Sequence, residues 1–297
     1  FDGFGWDAGT ILSSGDFPSQ SSMAVDDAGN VMVVWSESDG TRGRIRSRIF
    51  ERGMAAWTPV LPVEGSAPPL DNQDPRVVHD GPGEFTAVWT QDDGGGNANI
   101  MQNHYGVAGW DSEGVLVDVL DPVIHPRITT WGMGQALLTY ERQVAANLVL
   151  EAIRRTDGAW DATNPDIISQ AASQLQNREV VADREGNAAA YYAVPPAGFR
   201  LTYAPVHGWA LHRHRAATNG PRAAVNLPGP GVGSMVLVVG DQAATHRYDV
   251  ASGMFQSPVV HNPGGDTNNA AMAVDPSGRV LVVWNNSAGD LLYEVAE

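Results

Sequence analysis

Residues 21–63 read SSMAVDDAGNVMVVWSESDGTRGRIRSRIFERGMAAWTPVLPV, and the turn residues inside them cut the stretch into four short strands. Ser22–Asp26 opens and Asp27–Gly29 turns it; Asn30–Ser36 alternates and carries Trp35 near its end; Arg44–Phe50 and Ala56–Val63 follow. Short apolar runs bounded by Gly, Asp and Pro are hairpin signals. The pattern then returns along the whole chain. A glycine stands six residues before the end of an apolar strand at Gly29–Trp35, Gly83–Trp89, Gly134–Tyr140, Gly186–Tyr192, Gly233–Val239 and Gly278–Trp284. In phase with it, an aromatic opens another strand at Trp6, Trp57, Trp110, Trp160, Trp209 and Phe255, at intervals of 51, 53, 50, 49 and 46. A period near 50 with several strands per copy is the signature of a β-propeller, whose units cannot bury both faces alone.

The expected fold is therefore all-β, a six-bladed β-propeller with four-stranded blades in one domain over residues 1–297. The blades fall at about 21–70, 71–122, 123–175, 176–219, 220–267 and 268–297 plus 1–15. Asp290–Glu297 gives the last blade only a third strand. The segment FGWDAGTIL, Phe4–Leu12, matches the outermost-strand pattern GMAAWTPVL, so the N-terminal strand is expected to complete the last blade and remove an open edge.

An aspartate precedes the repeat glycine by three residues at Asp26, Asp80, Asp183 and Asp275, with Trp131 and Pro230 as exceptions. A carboxylate there accepts backbone N–H groups two residues on, and glycine supplies positive φ, so these acids read as turn formers rather than catalytic groups. The recurring aromatics read as plates that fill the space between sheets. Blade five, with Val239 for the aromatic and a longer NLPGPGVG turn, is expected to be the irregular one.

Composition removes several chemistries. All 18 basic residues are arginine, so Schiff-base and lysine-base mechanisms are excluded, and with no cysteine neither thiol nucleophiles nor cysteine-ligated metals are available. The net charge of −16 argues against nucleic acid as a partner. No apolar run reaches the roughly 18–20 residues that a membrane span needs. The chain begins at Phe1, as a processed or excised protein would, and a secreted, periplasmic or cell-surface location is the expectation. No cofactor or metal is expected: the loop QDDGGGN, Gln91–Asn97, lacks the spacing of a calcium loop, and His212 and His214 share one strand face without a third ligand.

The repeat AVDxxGNxxVVW, clearest at Ala24–Trp35 and Ala273–Trp284, resembles those of bacterial secreted and surface β-propellers, including sialidase-like six-bladed proteins. The resemblance covers the whole chain and speaks for fold, because unrelated functions share this architecture. The Asp-box of sialidases, S-x-D-x-G-x-x-W, is not matched. Here the glycine lies three positions after Asp26 and the tryptophan nine, and no sialidase Tyr and Glu pattern stands out.

Ligands of propellers meet the face where the connections into the innermost strands converge with the loops after the second strands. Four neighbouring blades bring an arginine to nearly one place there: Arg76, Arg127, Arg178 and Arg222. Guanidinium forks suit carboxylate, phosphate or sulfate, and the sialidase resemblance implies an arginine cluster on a substrate carboxylate. The plainer reading pairs each arginine with a local acid such as Asp74, Glu141 or Glu179. His125, beside Pro126 and Arg127, joins this face as a base or a ligand contact, and Glu141 and Asp92 are further catalytic candidates from the loops after second strands.

Two functions fit. One is a non-catalytic module, monomeric, that recognises a glycan, another acidic small molecule or a protein at the axial face. The other is a hydrolase or lyase acting on an acidic glycan at an Arg, His and carboxylate site. Two carboxylates, or a carboxylate with His125, close to the arginines would speak for the enzyme.

Overall fold

The computed structural model describes residues 11–13, 18–38, 40–65, 70–92, 94–169, 171–194, 197–204, 208–214, 221–226, 234–239, 243–249, 254–257, 259–261, 270–274, 277–285 and 291–296. Every regular element among them is a strand, and the strands form six antiparallel sheets, one for each repeat unit of the sequence. The chain is all-β, as the repeat predicts.

The first sheet shows how the repeat becomes structure. Its innermost strand is Pro18–Val25, its second Val31–Ser38 and its third Gly43–Glu51, and the outer strand is broken into Ala56–Trp57 and Leu61–Pro62. Both outer pieces pair with the third strand, and Pro59, which has no N–H to give, stands in the gap. The innermost strand starts four residues earlier than the sequence pattern indicates. The extension lies beyond a bulge, where the register shifts between Ser19 and Ser22, and a bulge interrupts the alternation that sequence reading relies on.

The D-x-x-G turns at Asp26 and Asp183 take the expected form, whereas Asp80 accepts from Thr86 Oγ1 at 2.9 Å and Asp275 lies outside the described residues. In the first, Oδ1 of Asp26 accepts from the Asn30 N–H at 2.8 Å and Oδ2 from the Asn30 side chain at 2.8 Å, while Gly29 takes φ of +83° and donates to the Asp26 carbonyl. Asp183 repeats the arrangement with Asn187 and Gly186. Burial opposes ionisation of Asp26, but the hydrogen bonds from Asn30, Gly83 and Ala28 outweigh it and hold the carboxyl below its ordinary pKa.

The backbone divides into two compact units, Phe1–Gly96 with Met101–Val115, and Asn97–Ile100 with Leu116–Glu297. In the first unit the innermost strands of sheets one and two, Pro18–Val25 and Asn72–Gly81, run side by side, and Met32, Val34, Ile45, Val77, Phe85 and Trp89 fill the core between the sheets. In the second unit the innermost strands Val123–Gly132, Gln176–Ala182, Pro221–Asn226 and Ala270–Val274 neighbour one another in that order. Its core joins Leu137, Leu150 and Ala152 of sheet three to Val180, Ala190 and Tyr192 of sheet four. Innermost strand beside innermost strand, with alternate residues buried between neighbouring sheets, is the packing rule of a propeller.

The outer-strand aromatics tie sheets together as well as filling space. In the first unit Trp110 Nε1 donates to Ser47 Oγ of the preceding sheet at 2.8 Å, and in the second Trp209 Nε1 donates to Asp166 Oδ2 at 3.2 Å. The C-terminal strand Leu291–Ala296 pairs with Val280–Asn285 and gives sheet six its third strand, as read from DLLYEVAE. The proposed closing strand lies outside the described residues up to residue 10, and so does the 227–233 turn of blade five, whose second strand Ser234–Val239 is a regular ladder.

Candidate functional site

A bulge recurs at the same register of the innermost strands of sheets two and three. The pairing slips between Gln73 and Arg76 opposite Thr90 and Val88, and between Ile124 and Arg127 opposite Glu141 and Thr139. Two residues thus face one partner position in each strand, and the first of them takes left-handed backbone: Asp74 at φ +51° and His125 at +52°, with Gln20 at +45° in sheet one. Non-glycine residues resist this region and hold it where the surroundings over-determine them, which is common at functional sites. A proline follows Asp74 and His125, and the arginine comes next.

The register sharpens the expected arginine set. Arg76 and Arg127 each pair with the residue before the strand aromatic, Trp89 or Tyr140. In sheet four that register belongs to Glu179, which pairs with Tyr191, while Arg178 sits one position earlier inside the bulge. Arg222 lies in the bulge of sheet five, between Pro221 and Ala223. The side chains of Arg178 and Arg222 lie outside the described residues. The sequence spacing does not show the one-residue offset because sheet four has one residue fewer in its bulge.

Arg76 and Asp92 belong to the first unit, and His125, Arg127, Glu141, Arg178 and Arg222 to the second. Arg76 is paired as the plainer reading expected: its Nη2 lies 2.8 Å from Asp74 Oδ1, and its Nη1 donates to the Pro75 carbonyl at 3.0 Å. Asp74 N–H in turn donates to Gln20 Oε1 at 2.8 Å. This bulge is locked to its neighbour. Asp92 ends the second strand Glu84–Asp92 and accepts from the Gly94 N–H at 2.7 Å in the turn that follows.

In the second unit the chemistry is different. His125 Nδ1 stands 3.1 Å from Glu141 Oε2, with the imidazole half exposed and the carboxylate side chain 2% exposed. His125, in the bulge opposite, is thus a partner of Glu141, and Arg127 Nη1 donates to the Pro126 carbonyl at 2.7 Å. The registers equivalent to Glu141 hold Ser36, Thr90 and Ala193, so sheet three differs from sheets one, two and four in placing an ionisable group there. A buried carboxylate gripping one nitrogen of a half-exposed imidazole orients the ring.

Around the second-strand aromatics lie polar knots that sequence reading did not single out. In sheet one Trp35 Nε1 donates to Glu37, and Arg46 bridges Glu37 and Glu64, both at 3.1 Å. Burial is the largest influence on Glu64 and pushes its carboxyl up, against the opposing pull of Arg46 and Arg44. In sheet three the charges are exchanged. Tyr140 donates to Glu151, Arg142 grips Glu151 at 2.7 Å, and Arg142 reaches Asp121 at 3.2 Å. Sheet two replaces the charges with amides, Trp89 and Gln91 both donating to Asn72 Oδ1 at 2.9 Å. The signal was the residue two after the aromatic, Glu37, Gln91 or Arg142, whose partner comes from another strand and is not visible in one repeat. Tyr140 and Glu151 form a tyrosine–glutamate pair, but burial and the Glu151 charge push the Tyr140 hydroxyl far up, the wrong direction for a nucleophile.

This arrangement of sheets is shared with solved β-propellers. Hadza microbial sialidase Hz136 has a TM-score of 0.62 at 11% identity, covering 94% of this chain and 65% of that one. The leech intramolecular trans-sialidase, complexed with 2,7-anhydro-Neu5Ac, reaches 0.63 at 9% identity over 99% of this chain and 71% of its own. The fucose-specific lectin from Aleuria aurantia reaches 0.59 at 12% identity, over 93% of each chain. No protein-family model and no curated protein matches the sequence. The fold is that of a sialidase-like β-propeller, a class that includes both enzymes and lectins, and the chain spans about two thirds of the length of the sialidase structures it resembles.

Proposed function

We propose that this chain recognises an acidic glycan at the bulged ends of the innermost strands, with His125 and Arg127 as its contacts. The observation that carries the reading is the His125 imidazole, half exposed, strained at φ +52° and anchored from beneath by a buried carboxylate. The bulge fixes this backbone conformation, as it does at Gln20 and Asp74, and what sets sheet three apart is that it places an imidazole there over a buried carboxylate. Arginine two residues on supplies a charge of the sign that a sugar carboxylate requires. The occurrence of sialidases and a fucose lectin among similar folds supports a sugar over a protein partner. No helix among the described residues is long and apolar enough to cross a membrane. A secreted or surface location and a monomeric state complete the proposal.

The hydrolase alternative fares worse at this site. Glycoside hydrolysis uses two carboxyl groups that flank the bond, and Glu141 is both buried and committed to His125. Isothermal titration with N-acetylneuraminate, glucuronate and galacturonate, with mannose, sulfate and phosphate as controls, tests the reading. Binding of one sugar acid that Arg127→Ala weakens at least tenfold is expected; indifference to all three sugar acids overturns it.

A further inference from the structure

We propose that His261 is a proton-operated latch between sheets five and six, which holds more tightly when its imidazole is charged. The residue stands at a register whose occupants in sheets one and three are apolar. A short outer piece pairs with the third strand at Leu61–Pro62 in sheet one, Asp166–Ile167 in sheet three and Val259–Val260 in sheet five. The next residue is Val63, Ile168 or His261. Val63 is buried in the cluster that holds Trp89 of sheet two, and Ile168 in the cluster that holds Tyr192 of sheet four. His261 takes the same place against Trp284 of sheet six, with ring centroids 5.9 Å apart and its side chain 0% exposed. Sheet five thus puts an ionisable ring where the others put a hydrocarbon.

Both ring nitrogens are engaged, one on each side of the junction. Nε2 lies 2.8 Å from Thr245 Oγ1 on the third strand of sheet five, and Nδ1 lies 2.7 Å from Glu294 Oε2 on the third strand of sheet six. The neutral ring donates to Glu294 and accepts from the Thr245 hydroxyl; the charged ring donates to both, and the hydroxyl accepts instead. The ring therefore takes up a proton without losing a hydrogen bond. What changes is the bond to Glu294, which becomes an ion pair, and charge-assisted bonds are roughly twice as strong as neutral ones. The carboxylate stays half in solvent, which spares the pair the full cost of burying two charges. Among the described residues, Val259 and Val260 of the outer strand and Val282 and Trp284 of sheet six bring no charge to the ring. His246 flanks Thr245, and burial favours its neutral form; Arg247 and Asp249 lie further along that strand, and Tyr293 flanks Glu294. Arg247 opposes proton uptake, but it is exposed and screened by solvent, and the direct contact with Glu294 outweighs it.

Amide hydrogen exchange of the full chain between about pH 5.5 and 8 tests the latch, read as protection factors so that the intrinsic pH dependence of exchange divides out. Protection in Leu291–Ala296 is expected to fall about fivefold or more as pH rises over that range. Glu294→Gln, which keeps an acceptor without the charge, and His261→Val, which restores the residue type of sheet one, are each expected to abolish the fall. Protection that stays level or rises with pH in the wild type overturns the latch, whatever the variants do. A fall that survives in either variant assigns the pH dependence to other groups and overturns it as well. Should the variants not fold, the imidazole resonances of wild-type His261 are expected to titrate in step with the strand amides, and titration of another histidine in their place overturns the assignment.

Discussion

The indole Nε1 of Trp35 donates to Oε2 of Glu37 at 3.0 Å, two residues further along the same strand. At the equivalent registers of sheet three stand Tyr140 and Arg142, and the acid has moved to Glu151 on the neighbouring strand. In sheets one to three a large aromatic ring fills this space and its polar edge is satisfied, and an unpaired buried donor costs about 1–3 kcal/mol. Exchange of acid and base between the strands meets that need equally well.

The exchange predicts which single changes hurt. Arg46→Ala leaves Glu37 and Glu64, both buried, without their shared cation. Arg46 keeps some exposure, so the full cost of about 3–5 kcal/mol for breaking a buried pair is discounted to roughly 1–3 kcal/mol. Urea unfolding of the variant measures it; a change below about 0.5 kcal/mol would show that solvent already screens the cluster.

Trp89→Phe should separate packing from hydrogen bonding. Phenylalanine keeps most of the ring burial and loses the donor to Asn72, whose Oδ1 still accepts from Gln91, so a loss of about 1–2 kcal/mol is expected. Trp89→Ala empties a fully buried site and is expected to cost about 3–5 kcal/mol. Comparable losses in the two variants would contradict this division.

Glu64 makes stability depend on pH in the less usual direction for a carboxyl group. Its folded pKa is raised above the ordinary value of 4.5, so the stabilisation is present below about that pH and is lost as pH rises through the folded value. In Glu64→Gln this dependence is removed. The melting temperature of the variant minus that of the wild type should therefore rise between about pH 4.5 and neutrality, and a difference that falls over that range would refute the burial argument.

Asp26 has the opposite sign. Its folded pKa lies below the ordinary 3.8, so its contribution is complete above that pH and disappears as pH falls through the folded value. Asp26→Ala is expected to cost about 1–2 kcal/mol at neutral pH through the loss of the turn contacts, and its stability should converge on that of the wild type in acid. Parallel acid melting curves would count against the turn as the source.

Much of the fold is legible because turns and strands are local. Asp26 and Gly29 lie three residues apart, and the hydrogen bonds that make their turn involve the same short stretch, so a spacing in the sequence is already a geometry. The aromatic series works for a similar reason, since alternation along a strand decides which face is buried. The site was only partly legible. His125, Arg127 and Glu141 could be named as candidates from their positions beside the innermost and second strands. Their partnership could not, since Glu141 and Arg127 are equally plausible as a pair until the bulge sets the register.

Six repeats, their strand order and the turns that join them follow from the chain alone, because backbone conformation at Gly29 or Asp183 answers to immediate neighbours. The offset of Arg178 from Arg76 and Arg127, the hold of Asp74 on Arg76 and the turn of Glu141 to His125 emerge only when the strands pair. A bulge moves every later side chain by one position, and burial then selects which of the nearby charges must be paired, so both choices depend on strands that meet across many intervening residues.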